Sequence, residues 1–304
     1  MINALSLVAG EGLLSLYPVL TRTVKANIMT QTAVRLITTA IICFPFITIS
    51  VGSMVTQLSS HLVSLLYVFH IVTSYIAFLN LDVGVALTLF YTYPIINVLL
   101  HQLLFTKVDI RVMSYFMLAF LGAYMIARDS HNDHKQDEQS SKSMSRGVVA
   151  IILAAVTESL IYLFYKDGAG SNQLNPFNML FIMCFTGGLL MLIAYLFGIK
   201  QPLEAPKPVE KVEEVEEPQL SSIFSSPITQ LVIATIIIGV IGYLLRFYSV
   251  PRLSTEVYSV LSFSGIIFGY LYGWYFYGET ITPSKLMGTL LILYCVYRVK
   301  MLGL

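Results

Sequence analysis

Apolar residues occupy this chain in long runs that short polar breaks separate. A run of roughly 18 to 24 apolar residues is long enough to cross about 30 Å of hydrocarbon as an α-helix. Ten such runs are predicted, at residues 2–20, 28–50, 59–79, 83–105, 111–128, 147–165, 177–198, 228–247, 254–277 and 284–303. The pattern therefore predicts an all-α integral membrane protein with ten transmembrane helices.

Two polar segments are much longer than the other breaks. Residues 129–146 are rich in Asp, His, Gln, Ser and Lys, and a second segment at about 200–226 contains a run of Glu, Lys and Pro. Such compositions cannot bury enough apolar surface to fold alone, so we interpret the first segment as a solvated linker and the second as a disordered acidic loop. The linker separates a first half, residues 1–128, from a second half, residues 147–304. Each half has five predicted helices.

Five helices per half predict an inverted repeat, because an odd number of crossings turns the second half upside down relative to the first. Residues 85–107 and 257–279 agree with this, since each is a tyrosine-rich helix followed directly by a polar turn. Chance similarity between two apolar helices is the alternative. The orientation stays open: an N-terminus on the inner side puts both long polar segments outside, whereas the count of Lys and Arg favours the reverse.

Composition and charge exclude several classes of function. Only 12% of the 304 residues are charged, against about a quarter in soluble domains. The formal net charge is +1 and no basic run with aromatic residues occurs, so nucleic acid is not an expected partner. The chain has no phosphate-binding Gly-Lys-Ser/Thr loop and no metal-ligand spacing, so we expect neither ATP-driven pumping nor a cofactor. The expected partners are the lipid bilayer and a small-molecule substrate, with the chain a monomer or a homodimer.

Several residues at particular places in the predicted helices suggest a family. They are Pro18 late in the first helix, Arg35 in the second, Tyr91-Thr92-Tyr93-Pro94 in the fourth and the segment from Gly273 to Glu279 at the end of the ninth. With ten helices in two halves, the chain resembles the EamA-like branch of the drug/metabolite transporter superfamily. In that family each half commonly ends its fourth helix with a glutamate, which this chain keeps as Glu279 but replaces by Lys107 in the first half. The resemblance implies a secondary carrier with a central cavity between the halves.

Four ionisable residues in the predicted helices are candidates for that cavity: Glu11, Arg35, His70 and Glu158. An ionisable side chain in a bilayer is costly, so each is a functional hypothesis by default. Glu11 and Glu158 would line the cavity or carry protons, and the alternative is a carboxyl group that fastens two helices. Arg35 would neutralise a carboxylate or bind an anionic group. A contact between helices is the commoner role of a histidine such as His70. Arg246 could also neutralise a carboxylate or bind an anionic group, but its position near a helix end favours the interpretation that it reaches the headgroups.

Two predicted helices carry a stripe of related residues on one face. The stripe of the fourth helix mixes aromatic and polar side chains that would be costly to expose to lipid, and it consists of Phe90, Tyr93, Pro94, Asn97 and His101. We expect it to face the cavity, with a simple kink at Pro94 as the alternative. The ninth helix carries Gly265, Gly269 and Gly273, whose spacing predicts close helix packing. Glu279 is expected to cap the last helix.

The leading hypothesis is a secondary transporter of a small organic solute that works by alternating access, as a proton-coupled carrier or an exchanger. Amino acids, nucleotide sugars, phosphorylated metabolites and drug-like compounds are all candidate solutes. No enzymatic activity is expected. The alternatives are an intramembrane lipid-modifying enzyme that uses Glu11 or Glu158 with His70 or His101, and a non-transporting membrane receptor or assembly protein.

Overall fold

A computed structural model describes residues 2–105, 107, 109–133, 138–168, 175–197, 226–249, 252–253 and 261–302. Within these ranges every regular element is a helix. The first half contains α1 (Ile2–Leu14), α2 (Tyr17–Thr23), α3 (Ile28–Cys43), α4 (Val51–Thr56), α5 (Leu58–Asn80), α6 (Val83–Phe90), α7 (Tyr93–Phe105) and α8 (Ile110–Asp133). The rest contains α9 (Glu138–Gly168), α10 (Pro176–Leu196), α11 (Pro227–Ala234), α12 (Gly242–Ser249), α13 (Ser264–Tyr277) and α14 (Pro283–Met301).

Seven helical rods among the described residues are long and apolar enough to cross a membrane. They are Ile2–Thr23, Ile28–Phe46, Leu58–Asn80, Val83–Phe105, Lys142–Ile161, Pro176–Ala194 and Pro227–Ser249, and the apolar helix Ile110–Ile126 is shorter. The chain is therefore a multi-pass integral membrane protein. The other three of the ten predicted crossings stay predictions, and one of them, 254–277, lies partly outside the described residues.

The first long polar segment is largely helical in the structure. Helices α8 and α9 extend into the predicted linker, ending at Asp133 and beginning at Glu138, so much of the linker is helical. Residues 134–137 lie outside the described residues, as does the predicted acidic loop except for Ser226. The first polar segment thus lengthens two helices beyond their predicted apolar spans.

A Tyr-Pro pair begins the second part of two broken rods. α1 ends at Leu14 and α2 begins with Tyr17-Pro18, while α6 ends at Phe90 and α7 begins with Tyr93-Pro94. Proline has no N–H, so a carbonyl one turn earlier loses its helical partner and the helix bends. Such breaks are tolerated at membrane depth where protein or a water-filled cavity satisfies the backbone. A third irregularity is the π-helical segment Thr235–Ile241 between α11 and α12.

Each principal contact across the bundle joins a helix of the first half to one of the second. α3 packs on α10, α6 on α13 and α8 on α14, while α5 packs on α9 and α1 on α12. Large apolar side chains such as Leu103, Leu104 and Phe105 are exposed on the outside, where lipid would cover them. The ionisable side chains that are buried where the halves meet include Glu11, Arg35, His70, Glu158 and Arg246.

Candidate functional site

A cavity lies between the halves, beside the two Tyr-Pro breaks. We call it the central cavity; its lining comprises Glu11, Leu14, Ser15, Tyr17, Arg35, His70, Ser74, Phe78, Leu87, Phe90, Tyr91, Tyr243 and Arg246. A water-sized sphere can reach about 50 Å³ of it, and one water needs roughly 10–15 Å³ on that measure. The cavity in this conformation has room for a few waters but not for an organic solute, which would need the halves to move apart.

Glu11 and Arg246 form an ion pair that joins the halves. Glu11 Oε1 lies 3.1 Å from Arg246 Nε, and both side chains are almost fully buried. The Tyr91 hydroxyl donates to Glu11 Oε2 at 2.5 Å, and Arg246 Nη2 donates to the Tyr93 hydroxyl at 3.0 Å. Our interpretation of Arg246 as a headgroup anchor is wrong, because α12 continues to Ser249 and holds the guanidinium inside the bundle.

Arg35 is enclosed by four tyrosines. Its guanidinium carbon lies 3.9 Å above the ring of Tyr17, close enough for a cation–π contact. Its Nη2 donates to the hydroxyls of Tyr67 and Tyr243 at 2.8 and 3.2 Å, and its Nη1 donates to Tyr75 at 3.4 Å. α2, α3, α5 and α12 together build this cage, so it too joins the halves. Each Tyr-Pro pair therefore presents its tyrosine to an arginine, Tyr17 to Arg35 and Tyr93 to Arg246.

His70 and Glu158 pair across α5 and α9. His70 Nδ1 lies 3.1 Å from the carbonyl of Ala154, which only accepts hydrogen bonds, so Nδ1 carries a proton. His70 Nε2 then faces Glu158 Oε2 at 3.7 Å. An ionised carboxylate opposite an unprotonated ring nitrogen would be repulsive. The pair is therefore best satisfied when it holds one proton, on Nε2 or on the carboxyl group.

The predicted stripe of the fourth helix divides at the helix break. Phe90 lines the central cavity and Tyr93 reaches Arg246, while Pro94 occupies the second position of α7. Asn97 and His101 are not among the lining residues. The His101 ring lies 5.4 Å from that of Phe105, and the buried Asn97 Oδ1 has no hydrogen-bond partner among the described residues. The break turns the later part of the stripe away from the cavity.

Several tyrosines of the site were absent from our predicted set. Tyr17, Tyr91 and Tyr243 line the cavity, and Tyr67 and Tyr75 contact Arg35. Their signal in the sequence is weak, because tyrosines are common throughout this chain, with 19 in all. The repeated Tyr-Pro dipeptide is the feature that marks two of the aromatic partners of the arginines.

The three glycines of α13 face α6. A side chain at Gly265 would overlap Tyr91, one at Gly269 would meet Leu87 at 2.6 Å, and one at Gly273 would overlap Glu279. Ser15 Oγ also donates to the carbonyl of Gly265 at 3.0 Å. The close approach places the start of α6, at Val83, and the turn after α13 within hydrogen-bonding distance of each other.

Glu279 ties several helix ends together at one end of the bundle. Its carboxylate accepts from Val83 N–H at 2.7 and 2.9 Å and pairs with Arg22 Nη1 at 2.8 Å. Arg22 also donates to the carbonyls of Phe78 and Leu81. Glu279 therefore caps α6, and the expectation that it caps the last helix is wrong. Gly278, at φ 62°, turns the chain so that the carboxylate points back at α6.

Titration of Glu279 should affect stability in a defined direction. Burial raises the pKa of the Glu279 carboxyl, while the charge of Arg22 opposes the rise. A carboxyl with a raised folded-state pKa stabilises the fold at acid pH, and that contribution is lost as the pH rises through this pKa. We expect the unfolding temperature of the native chain, relative to that of Glu279→Gln, to fall from about pH 4 to pH 7.

Asp109→Asn is the matched control for this prediction. A hydrogen bond from the Arg111 side chain holds the pKa of Asp109 below its usual range, so its contribution is lost as the pH falls. Thermal unfolding in detergent should give the two variants opposite slopes against pH. Parallel slopes would contradict the assignment of the raised pKa to Glu279.

Comparison with known proteins adds a family and a fold. The sequence model described as the EamA-like transporter family matches residues 145–299. Eleven chains of solved structures match in fold. One is a crystal structure with 12% identity and a TM-score of 0.57 that covers 98% of this chain and 97% of its own. No curated protein sequence matches the chain.

Proposed function

This chain belongs to the EamA-like transporter family, and on that premise we propose that it is a secondary carrier of a small organic solute working by alternating access. Family members are membrane transporters, which favours transport over the enzyme and receptor alternatives. The observation that carries the proposal is the central cavity, where buried ionisable side chains from both halves meet. Buried charges of this kind typically mark solute and ion pathways.

An inverted repeat of two five-helix halves is part of the proposal, and the packing supports it. The helical rods of each half of the chain are numbered one to five, and the two parts of a broken rod share one number. The contacts of α3 with α10, α6 with α13 and α8 with α14 then join equally numbered rods, the second, fourth and fifth. The third rod of the first half, α5, contacts the first rod of the second half, α9. The equivalent contact with the halves exchanged is that of α12 with α1. The pattern of contacts is the same when the labels of the two halves are interchanged, as a pseudo-two-fold axis between them requires.

Proton coupling through His70 and Glu158 is the version of the mechanism that the geometry favours. The pair lies in contact with the cavity through His70 and is best satisfied with one proton. If this proton is released when the cavity opens to one side of the membrane, transport of the solute is coupled to the proton gradient. Exchange of one solute for another needs no such release.

Counterflow in proteoliposomes tests the function. Purified protein is reconstituted with pooled unlabelled amino acids, nucleotide sugars, phosphorylated metabolites and drug-like compounds inside, and uptake of labelled pool members is measured. We expect uptake of at least one class, since counterflow needs no gradient of the driving ion. No uptake by a folded native chain would overturn the proposal.

Glu158→Gln tests the coupling step. Because the glutamine side chain does not ionise, we expect this variant to retain counterflow but to lose acceleration of net uptake by an imposed pH gradient, by about tenfold or more. Asp109→Asn, which lies outside the central cavity, is the control and should respond like the native chain. Unchanged acceleration in Glu158→Gln would assign coupling to another group or favour exchange.

A further inference from the structure

Arg35 has hydrogen-bonding capacity that the protein does not use. A guanidinium carries five N–H donors, and the bonds to Tyr67, Tyr75 and Tyr243 use three of them. The other two, which include Nε–H, find no acceptor among the described residues. The side chain is only 5% exposed and lines the central cavity. Donors of a buried cation thus face space that a ligand would fill.

The described carboxylates nearest the cavity pair with groups other than Arg35. Glu11 pairs with Arg246 at 3.1 Å, and Glu158 faces His70 at 3.7 Å. No described carboxylate lies within 4.0 Å of the Arg35 guanidinium. Burial of a charge without an opposite charge is unfavourable. An anion in the cavity would relieve this cost.

One tyrosine of the cage, Tyr243, can assist an anion in the cavity as a second donor. A phenol oxygen that accepts a hydrogen bond from arginine still has its own O–H to donate. Tyr243 accepts from Arg35 and lines the central cavity, so its hydroxyl proton can reach an acceptor there. Arg35 and Tyr243 thus both bring donors to the lining of one cavity, which suits the several acceptor oxygens of a carboxylate or phosphate.

We propose that Arg35 and its tyrosine cage form an oxyanion subsite, and that the transported solute carries a carboxylate or phosphate group that binds there. The inference rests on the proposed carrier function and names its substrate class. The apolar part of the lining, Leu14, Phe78, Leu87 and Phe90, lies in the same cavity and would contact the less polar body of the solute. Binding of the anion uses the free N–H groups of Arg35 and offsets its charge.

Matched pairs of labelled solutes on the native chain give the first test. Nicotinate is compared with nicotinamide, and glucose 6-phosphate with glucose, in the counterflow assay and in ligand-induced thermal stabilisation. We expect the acidic member of at least one pair to bind at least about tenfold more tightly than its neutral partner. The pair that responds tells a carboxylate from a phosphate. Counterflow of neutral or cationic solutes alone would overturn the subsite but leave the carrier standing, whereas no counterflow of any solute would overturn both.

Variants of Arg35 give the second test. Arg35→Gln is expected to weaken binding of the acidic probe by roughly 30-fold or more, because loss of a buried charged partner typically has an effect of that size. Arg35→Lys keeps the charge but loses the planar guanidinium, so its affinity for the acidic probe should fall between those of the native chain and Arg35→Gln. It replaces Arg35→Gln in the test if that variant does not fold. Arg111→Gln removes an exposed arginine outside the cavity and should bind as the native chain does. Native affinity of a folded Arg35→Gln or Arg35→Lys for the acidic probe would overturn the proposal.

Discussion

Glu11→Gln is expected to slow counterflow by roughly 100-fold or more. The substitution removes the carboxylate that faces Arg246 at 3.1 Å inside the bundle. Removal of one partner from a buried ion pair costs about 3–5 kcal/mol, because the other charge stays buried. The conformation in which the halves meet at this pair is disfavoured by that amount, and its population falls by about two orders of magnitude or more. Initial rates of counterflow at equal amounts of folded protein measure the effect.

A second substitution separates the charge effect from a simple loss of folding. Glu11→Gln combined with Arg246→Gln leaves neither charge unpaired, so we expect it to recover thermal stability relative to Glu11→Gln alone. Transport should stay low, because the pair that joins the halves is gone. Counterflow near the native rate in Glu11→Gln would show that the pair has no part in transport.

Gly10→Val is expected to separate α1 from α12 and to cost about 1–3 kcal/mol or more of stability, with most of the transport activity. A Cβ at Gly10 would lie 2.9 Å from the carbonyl oxygen of Gly242 and 3.1 Å from the amide nitrogen of Arg246. Both atoms belong to the backbone, so the helices themselves must move. Gly10 directly precedes Glu11, and the movement pulls the carboxylate away from Arg246. Thermal unfolding in detergent and counterflow report the two consequences.

Gly52→Ala is the control for this prediction. A Cβ at Gly52 in α4 would meet only the Ser50 hydroxyl, at an ordinary 3.6 Å. We expect its stability and transport to match those of the native chain. A Gly10→Val protein as stable and active as Gly52→Ala would refute the close approach of α1 and α12 as the support of the ion pair.

Much of the helix layout followed from apolar run length alone. The rods ending at Asn80 and Phe105 agree with predicted spans to within a few residues, since hydrocarbon thickness sets how long an apolar helix must be. The linker was harder to predict, because a polar helix that continues beyond the bilayer has no apolar signal. Nor does the local sequence of Thr235–Ile241 predict its π-helical hydrogen bonding, since that depends on neighbouring helices.

The site shows the same division between local and tertiary information. The cost of burying an ionisable group singled out Glu11, Arg35, His70 and Glu158 without any knowledge of the fold. Their partners could not be found in this way. Glu11 meets Arg246 from the opposite half of the chain, and a position near the end of an apolar run is equally compatible with a headgroup anchor. Only the packing of α1 on α12 decides between the two.

Accessibility of the central cavity from the two sides of the membrane tests the account most directly. Ser74 lines the cavity and is buried. Ser74→Cys is made in a chain whose native cysteines, Cys43, Cys184 and Cys295, are replaced by alanine. A membrane-impermeant maleimide is then applied to either side of sealed proteoliposomes. Alternating access predicts labelling of this cysteine from each side and protection by a solute that shows counterflow, whereas labelling from one side alone under every condition would contradict a carrier built around this cavity.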